Sequence, residues 1–171
     1  MKLTVREIVL FALLGSMMFV SKLITEALPN IHLIGVFIVA LTVVYRQKAL
    51  YPIYVFVFLT GLYGGFSPWW VPYLYIWTIL WGMAMLLPYR TPKKWYAILY
   101  MAVCAAHGLL YGTLYAPAQA LLFGLTFEGR LAWIVAGLPW DALHGVSNFF
   151  CGVLIMPLVL LLRRIERTPR T

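Results

Sequence analysis

Apolar residues run along this chain in long blocks, and the strongly polar ones collect mostly between the blocks. The first block covers residues 5–27 and stops before Pro29. Others follow at 31–45, 49–66, 69–88, 94–115 and 139–163. Most are close to the ~20 residues that an α-helix needs to cross a bilayer. The block at 31–45 is shorter, so it is predicted to tilt little or to begin in the interface. The third ends in "GGFSP" and the fourth at Pro88. Pro139 falls at the first turn of the last block, where a missing N–H is tolerated. Between the fifth and sixth blocks, "YAPAQALLFGLTFEGRLAWIVAG" is too interrupted for a clean span. Residues 116–138 are therefore predicted to form a re-entrant or interfacial excursion with room for two short helices. The expectation is an all-α integral membrane protein, one transmembrane domain over 1–171, with six helices.

Composition strengthens that reading. The chain is 64% hydrophobic and 11% charged, too apolar for one soluble core of this size to hide, so lipid must solvate much of the surface. The net charge of +8 could suggest nucleic acid, but its distribution argues against it. Six spans put both termini on one side, with Lys2, Arg6, Arg46, Lys48, Arg90, Lys93, Lys94, Arg163, Arg164, Arg167 and Arg170. Only Lys22 and Arg130 fall on the other. The positive-inside rule makes the crowded side cytoplasmic, and the charge becomes a topology signal. Cys104 and Cys151 lie in apolar runs without metal-ligand spacing and read as packing residues. The N-terminus has a basic start and an apolar run but no clear small-residue cleavage site, so it reads as a retained first span.

The stretch "GLPWDALHGVSNFF" places Asp141, His144 and Asn148 in an apolar span. Spacings of three and four stack them on one helical face, with Ser147 beside it. Polar groups inside a membrane are costly and face a bundle interior or a wet cavity; an interhelical hydrogen-bond cluster is the competing explanation. In "WWVPYLYIWTILW", Trp70, Tyr73, Trp77 and Trp81 follow spacings of three, four and four and are expected to share a face. That face is either packing or the wall of a site opening at the polar outer rim. His107 is a further mid-span candidate, Trp133 belongs to the outer aromatic set, and Gln119 could point inward from the proline-broken segment, as a lid or a plain connection. Asp141 could pair with a cationic ligand or cap a helix start. Ala12, Gly15 and Ser16 in "FALLGSMM" permit close helix approach, to a partner or within the chain.

Enzymatic chemistry is poorly supplied. Asp141 and His144 could form an acid–base pair with Ser147 nearby, but no oxyanion-hole motif or second carboxylate accompanies them. There is no P-loop, and the three histidines lie far apart in sequence without metal-ligand spacing. No cofactor is expected.

The stretches "REIVLFALLGSMMFVSK", "PNIHLIGVFIVALTVVYRQKALYPIYVFVFLTGLYGGF", "WWVPYLYIWTILWG" and "AGLPWDALHGVSNFFCGVLIMPLVLLLRR", in this order, resemble a substrate-binding S component of an energy-coupling factor (ECF) type ABC transporter. The resemblance implies a non-enzymatic, multi-pass protein of the bacterial cell membrane. It implies binding of a vitamin or similar micronutrient on the outer side, and association with a transmembrane coupling protein and two cytoplasmic ATPase subunits. It also implies a docking pattern of small residues on the first helix, matched by Ala12 and Ser16, the serine departing from the usual second alanine. An aromatic wall suits a flat heterocycle, such as a pyrimidine, pyridine, flavin-like, deazapurine or corrin compound. With Lys22 and Arg130 the only outer basic residues, a dianion fits less well. The alternatives are a self-sufficient small transporter or channel, and an intramembrane enzyme using Asp141 and His144.

Overall fold

A computed structural model describes residues 3–28, 31–90 and 93–167. Lys2, Pro29, Asn30 and Arg170 lie outside the described residues. Regular structure among those described is entirely helical: α1 (Val5–Ile24), α2 (Ile34–Tyr45), α3 (Leu50–Gly64), α4 (Tyr73–Met85), α5 (Tyr96–Leu109), α6 (Tyr111–Phe123), α7 (Phe127–Cys151) and α8 (Ile155–Arg167), with short 3-10 turns before α3 and α8. Four helical runs are long and apolar enough to cross a membrane, at Val5–Ile24, Ile34–Gly64, Tyr96–Phe123 and Phe127–Arg167. Tyr73–Met85 is a shorter apolar helix. These runs fit the membrane class expected from composition.

Local chemistry sets the boundaries. Thr4 and Glu7 form a capping box: the Thr4 hydroxyl accepts from the Glu7 N–H at 3.3 Å, and the Glu7 carboxylate accepts from the Thr4 N–H at 2.9 Å. Arg46 closes α2 with a φ of 53°, a left-handed conformation unusual for a residue with a side chain, and splits the 34–64 run into two legs. Gly65 ends α3 at φ 84°, where glycine carries no steric cost.

α2 is the axis of the bundle. Nine of its 12 residues are buried, as expected of a helix apolar all round. It packs chiefly on α8 and α4, and also touches α1, α5 and α7. α3 lies along α1, where a Cβ on Gly15 would sit 2.6 Å from the Val55 Cβ and 2.7 Å from the Pro52 carbonyl. The α5–α7 seam is the most extensive, and it too is closed by glycine: a Cβ on Gly108 would meet the Gly145 Cα at 3.0 Å.

Three expectations need correction. Residues 116–138 do not form a separate pair of short helices, since α6 runs from Tyr111 to Phe123 and α7, starting at Phe127, continues into the last block to Cys151. Gly124 in the left-handed region ends one helix, and the Thr126 hydroxyl caps the next by accepting from the Gly129 N–H. Pro139 is not in a first turn but inside α7, as Pro117 is inside α6. Both rings project from exposed faces, so the lost hydrogen bond and local bend do not disturb a packed seam. The fourth block begins late, at Tyr73, because Pro68 and Pro72 keep residues 67–72 in turns. Trp70 is therefore not on the α4 face.

Polar contacts gather at one end of α2. The Arg6 guanidinium donates to the Ile165 carbonyl at 2.7 Å, and Lys48 pairs with Glu7. Arg46 donates to the Met85 carbonyl, and Arg163 donates to the carbonyls of Arg90, at 2.9 Å, and Tyr89. The ends of α1, α2, α4 and α8 are thus tied together by cations. Along α2, about 18 Å away at 1.5 Å per residue, lies a different kind of cluster.

Candidate functional site

α7 turns one face inward, and its buried residues are Asp141, His144, Gly145 and Asn148. The stacking expected from their spacing is present, and each has a distinct neighbour. The Asp141 carboxylate accepts from the Gly112 N–H through both oxygens, at 2.9 and 3.1 Å. It caps a helix start, but that of α6 rather than its own. Gly112 has no room for a side chain, because a Cβ would lie 2.5 Å from that carboxylate. The Asn148 amide donates to the Cys104 carbonyl at 3.3 Å, tying α7 to α5. The Ser147 hydroxyl donates to the His144 carbonyl at 3.0 Å.

His144 lies in a ring-lined cluster that brings all three histidines together. Its imidazole is 4.7 Å, centroid to centroid, from that of His32 and 4.8 Å from the Tyr111 ring. The Trp77 indole is 5.8 Å from His107, 6.0 Å from Tyr111 and 6.1 Å from His32. Phe56 and Tyr73 back the indole at 6.0 and 5.4 Å. Helices α4, α5, α6 and α7 supply four walls. The fifth, His32, stands on the non-helical residues 31–33 ahead of α2, the one wall that no helix holds.

Four polar atoms in this cluster are buried without a hydrogen-bond partner among the described residues: Trp77 Nε1, His32 Nδ1, His107 Nδ1 and His144 Nε2. The His107 tautomer can be assigned. Its Nε2 lies 3.1 Å from the Ile76 carbonyl; a carbonyl only accepts, so Nε2 bears the proton and Nδ1 offers a lone pair. The Trp77 N–H can only donate. One fixed donor and one fixed acceptor thus stand on rings 5.8 Å apart, with two imidazole nitrogens that can serve either way. A buried polar group left unpaired costs about 1–3 kcal/mol. These four atoms are therefore where a ligand or ordered water would be held. Among the described residues no group of three or more His, Cys, Asp or Glu side chains is arranged to hold a metal ion.

The remaining expected residues are distributed around this core. Trp133 stacks on Tyr115 at 5.9 Å with 18° between planes, and Tyr115 touches Tyr111 at 6.0 Å, so an aromatic ladder climbs from the cluster to α7. Gln119 is half-buried one turn beyond Tyr115. Trp70 donates to the Val57 carbonyl at 2.8 Å and edges Phe66 at 4.9 Å, so its N–H is committed to α3. Trp69, rather than Trp70, touches Tyr73, at 5.6 Å. Trp81 donates to the Arg46 carbonyl at 3.1 Å, toward the basic end. On α1, Gly15 is buried against α3, while Ala12 and Ser16 are exposed on a common face.

His32 and Tyr111 were not among the expected site residues. His32 was visible only as one more polar residue at an outer helix end. Tyr111 resembled any aromatic in an apolar run; its spacing of four from His107 was the available clue. Compared with protein-family models, with curated proteins and with solved structures, the chain matches none.

Proposed function

We propose that this chain is the substrate-binding S component of an ECF-type importer, taking a vitamin-like planar heterocycle into the cluster around Trp77 and the three histidines. The single observation behind this reading is the convergence of four buried, unpartnered ring nitrogens on one aromatic cage. The rings touch one another, with centroids 4.7–6.1 Å apart, so a flat ring with its own donor and acceptor must displace a side chain to meet the Trp77 N–H and the His107 lone pair. The cage contains no cation, which favours a ligand that is not strongly anionic.

The proposed topology has six spans with both termini cytoplasmic, in the bacterial cell membrane. The gathering of Arg6, Arg46, Lys48 and Arg163 at one end of α2 supports it, since the positive-inside rule puts that end in the cytoplasm. The cage then faces outward. The exposed pair Ala12 and Ser16, flanked by exposed Leu13 and Met17, leaves the first helix open to a transmembrane coupling protein and its two ATPase subunits. The Ser16 hydroxyl turns back to the Ala12 carbonyl at 2.9 Å, so it presents little polar surface to a partner.

Native mass spectrometry of the chain, gently purified from its host, tests the reading. One small heterocycle per chain is expected, lost in a Trp77→Phe/His107→Leu double variant that keeps most of the ring volume. An apo mass, followed by no thermal shift across a broad metabolite screen, would sink it. Copurification tests the partner separately: Ala12→Trp should release the coupling protein and ATPases while ligand binding persists.

A further inference from the structure

We propose that the basic end of the bundle holds the phosphate headgroup of an anionic phospholipid, between α8 and the turn that follows α4. Two hollows adjoin there and share Tyr89 and Arg90. The first, of about 420 Å³, is lined by Arg90, Arg163, Arg167, Tyr89 and Glu166 over the apolar end of α2. Three guanidiniums face one carboxylate. The second, of about 520 Å³, is walled by Met85, Leu86, Leu87 and Pro88, with Lys93 and Tyr96 at its edge.

The guanidiniums are partly committed and partly free. Arg163 uses its terminal nitrogens on the Tyr89 and Arg90 carbonyls, which fixes the side chain, and its Nε is buried without a partner among the described residues. Arg46 donates through Nη2 to the Met85 carbonyl and lies 4.2 Å over the Tyr89 ring, and its Nη1 is also buried without a partner among the described residues. Arginine cannot relieve an unpaired N–H by losing its proton. The guanidiniums of Arg90, Arg163 and Arg167, which line the hollow, are of the kind that pair with phosphate oxygens. The positive field is felt at Tyr89, whose phenol is held below its usual pKa by the hydrogen bond and charge of Arg90, with Arg46 adding to it.

The apolar hollow beside the cations is what selects a lipid over a free anion. Leu86 is 89% exposed at its wall, a surface suited to an acyl chain descending from a headgroup held at Arg90. Basic pockets between helices on the cytoplasmic side are where anionic headgroups bind. An acidic segment of another protein would satisfy the cations but leave Leu86 without an apolar partner.

The test uses the full chain in neutral detergent, titrated with phosphatidylglycerol, phosphatidylcholine or inorganic phosphate, and read by native mass spectrometry and thermal unfolding. Phosphatidylglycerol should be retained in preference to phosphatidylcholine. That preference should fall about five-fold for each cation removed in Arg90→Gln and Arg167→Gln, with the lipid-free melting temperature unchanged because both side chains are exposed. Equal retention of the two lipids, or a preference that survives the double variant, overturns the proposal. Inorganic phosphate reproducing the whole stabilisation with no lipid retained overturns the lipid and assigns a soluble anion. Loss of copurifying protein from the double variant, with lipid preference intact, overturns it in favour of an acidic protein segment.

Discussion

The two ends of α2 handle buried polar groups in opposite ways. At the basic end, long flexible cations reach carbonyls left open in the last turns of helices, at Met85 and Ile165, and in the connection after α4, at Tyr89 and Arg90. Those bonds join segments distant in sequence and act as clamps. At the other end, rigid rings, all but His32 fixed to helices, bring their nitrogens together but do not reach one another's lone pairs. A side chain that can extend reaches a carbonyl within the fold through at least some of its donors; one locked by its own packing can be left waiting for a partner from outside. On this comparison, substitutions of the clamping cations should cost stability, and substitutions in the cage should cost binding.

The largest effect is expected at Arg163. Its replacement by alanine removes both donors from the Tyr89 and Arg90 carbonyls and unlinks α8 from the α4–α5 connection. With hydrogen bonds to charged groups contributing about 1.5–3 kcal/mol, the loss should be about 2–4 kcal/mol, read as a lower midpoint in detergent unfolding. A midpoint within experimental error of the parent would mean the clamp contributes nothing, and the contrast between the ends would fail. Asp141→Ala should cost less, about 1–2 kcal/mol, the usual range for a lost helix cap. Asp141→Asn should recover much of that, because an amide oxygen still accepts from the Gly112 N–H. If asparagine behaved like alanine, charge rather than the cap would be the operative property. The Lys48–Glu7 pair, with side chains 30% and 21% exposed, should matter least among these contacts. Lys48→Met is expected to cost less than about 1 kcal/mol, and less still when the unfolding is repeated in high salt.

Much of this architecture was legible in the sequence, because period and breaker residues act locally. The spacing of Asp141, His144 and Asn148 set their common buried face, and the basic clusters anticipated the clamped end. The proline reading failed for an equally physical reason. Pro117 and Pro139 lie on exposed helix faces, and no local pattern says which face a proline will occupy before the bundle is assembled. The aromatic stripe failed at Trp70 because Pro72 delays α4, leaving Trp77 to act with His32, His107 and Tyr111. That grouping depends on how residues 31–33 fold back over the bundle, a long-range matter that one-dimensional spacing does not encode. Gly15 likewise looked interchangeable with Ala12 and Ser16 as a small residue, yet it faces α3 while they face outward.

The smallest change in stability is expected where the functional change is greatest. Leucine is close in size to histidine and removes the unpartnered His144 Nε2 from the cage. Replacing an unsatisfied buried polar group with an apolar one of similar shape is near neutral or stabilising. His144→Leu should therefore unfold within about 1 kcal/mol of the parent, or above it, while losing any heterocycle that copurifies with the parent under the proposed function. That pairing of intact stability with lost function is what a preorganised site gives up when its strained polar groups are removed. Unfolding as severe as in Arg163→Ala would make the His144 ring a structural clamp like those at the other end. The cage would then be a packing core, and the asymmetry between the two ends of α2 would disappear.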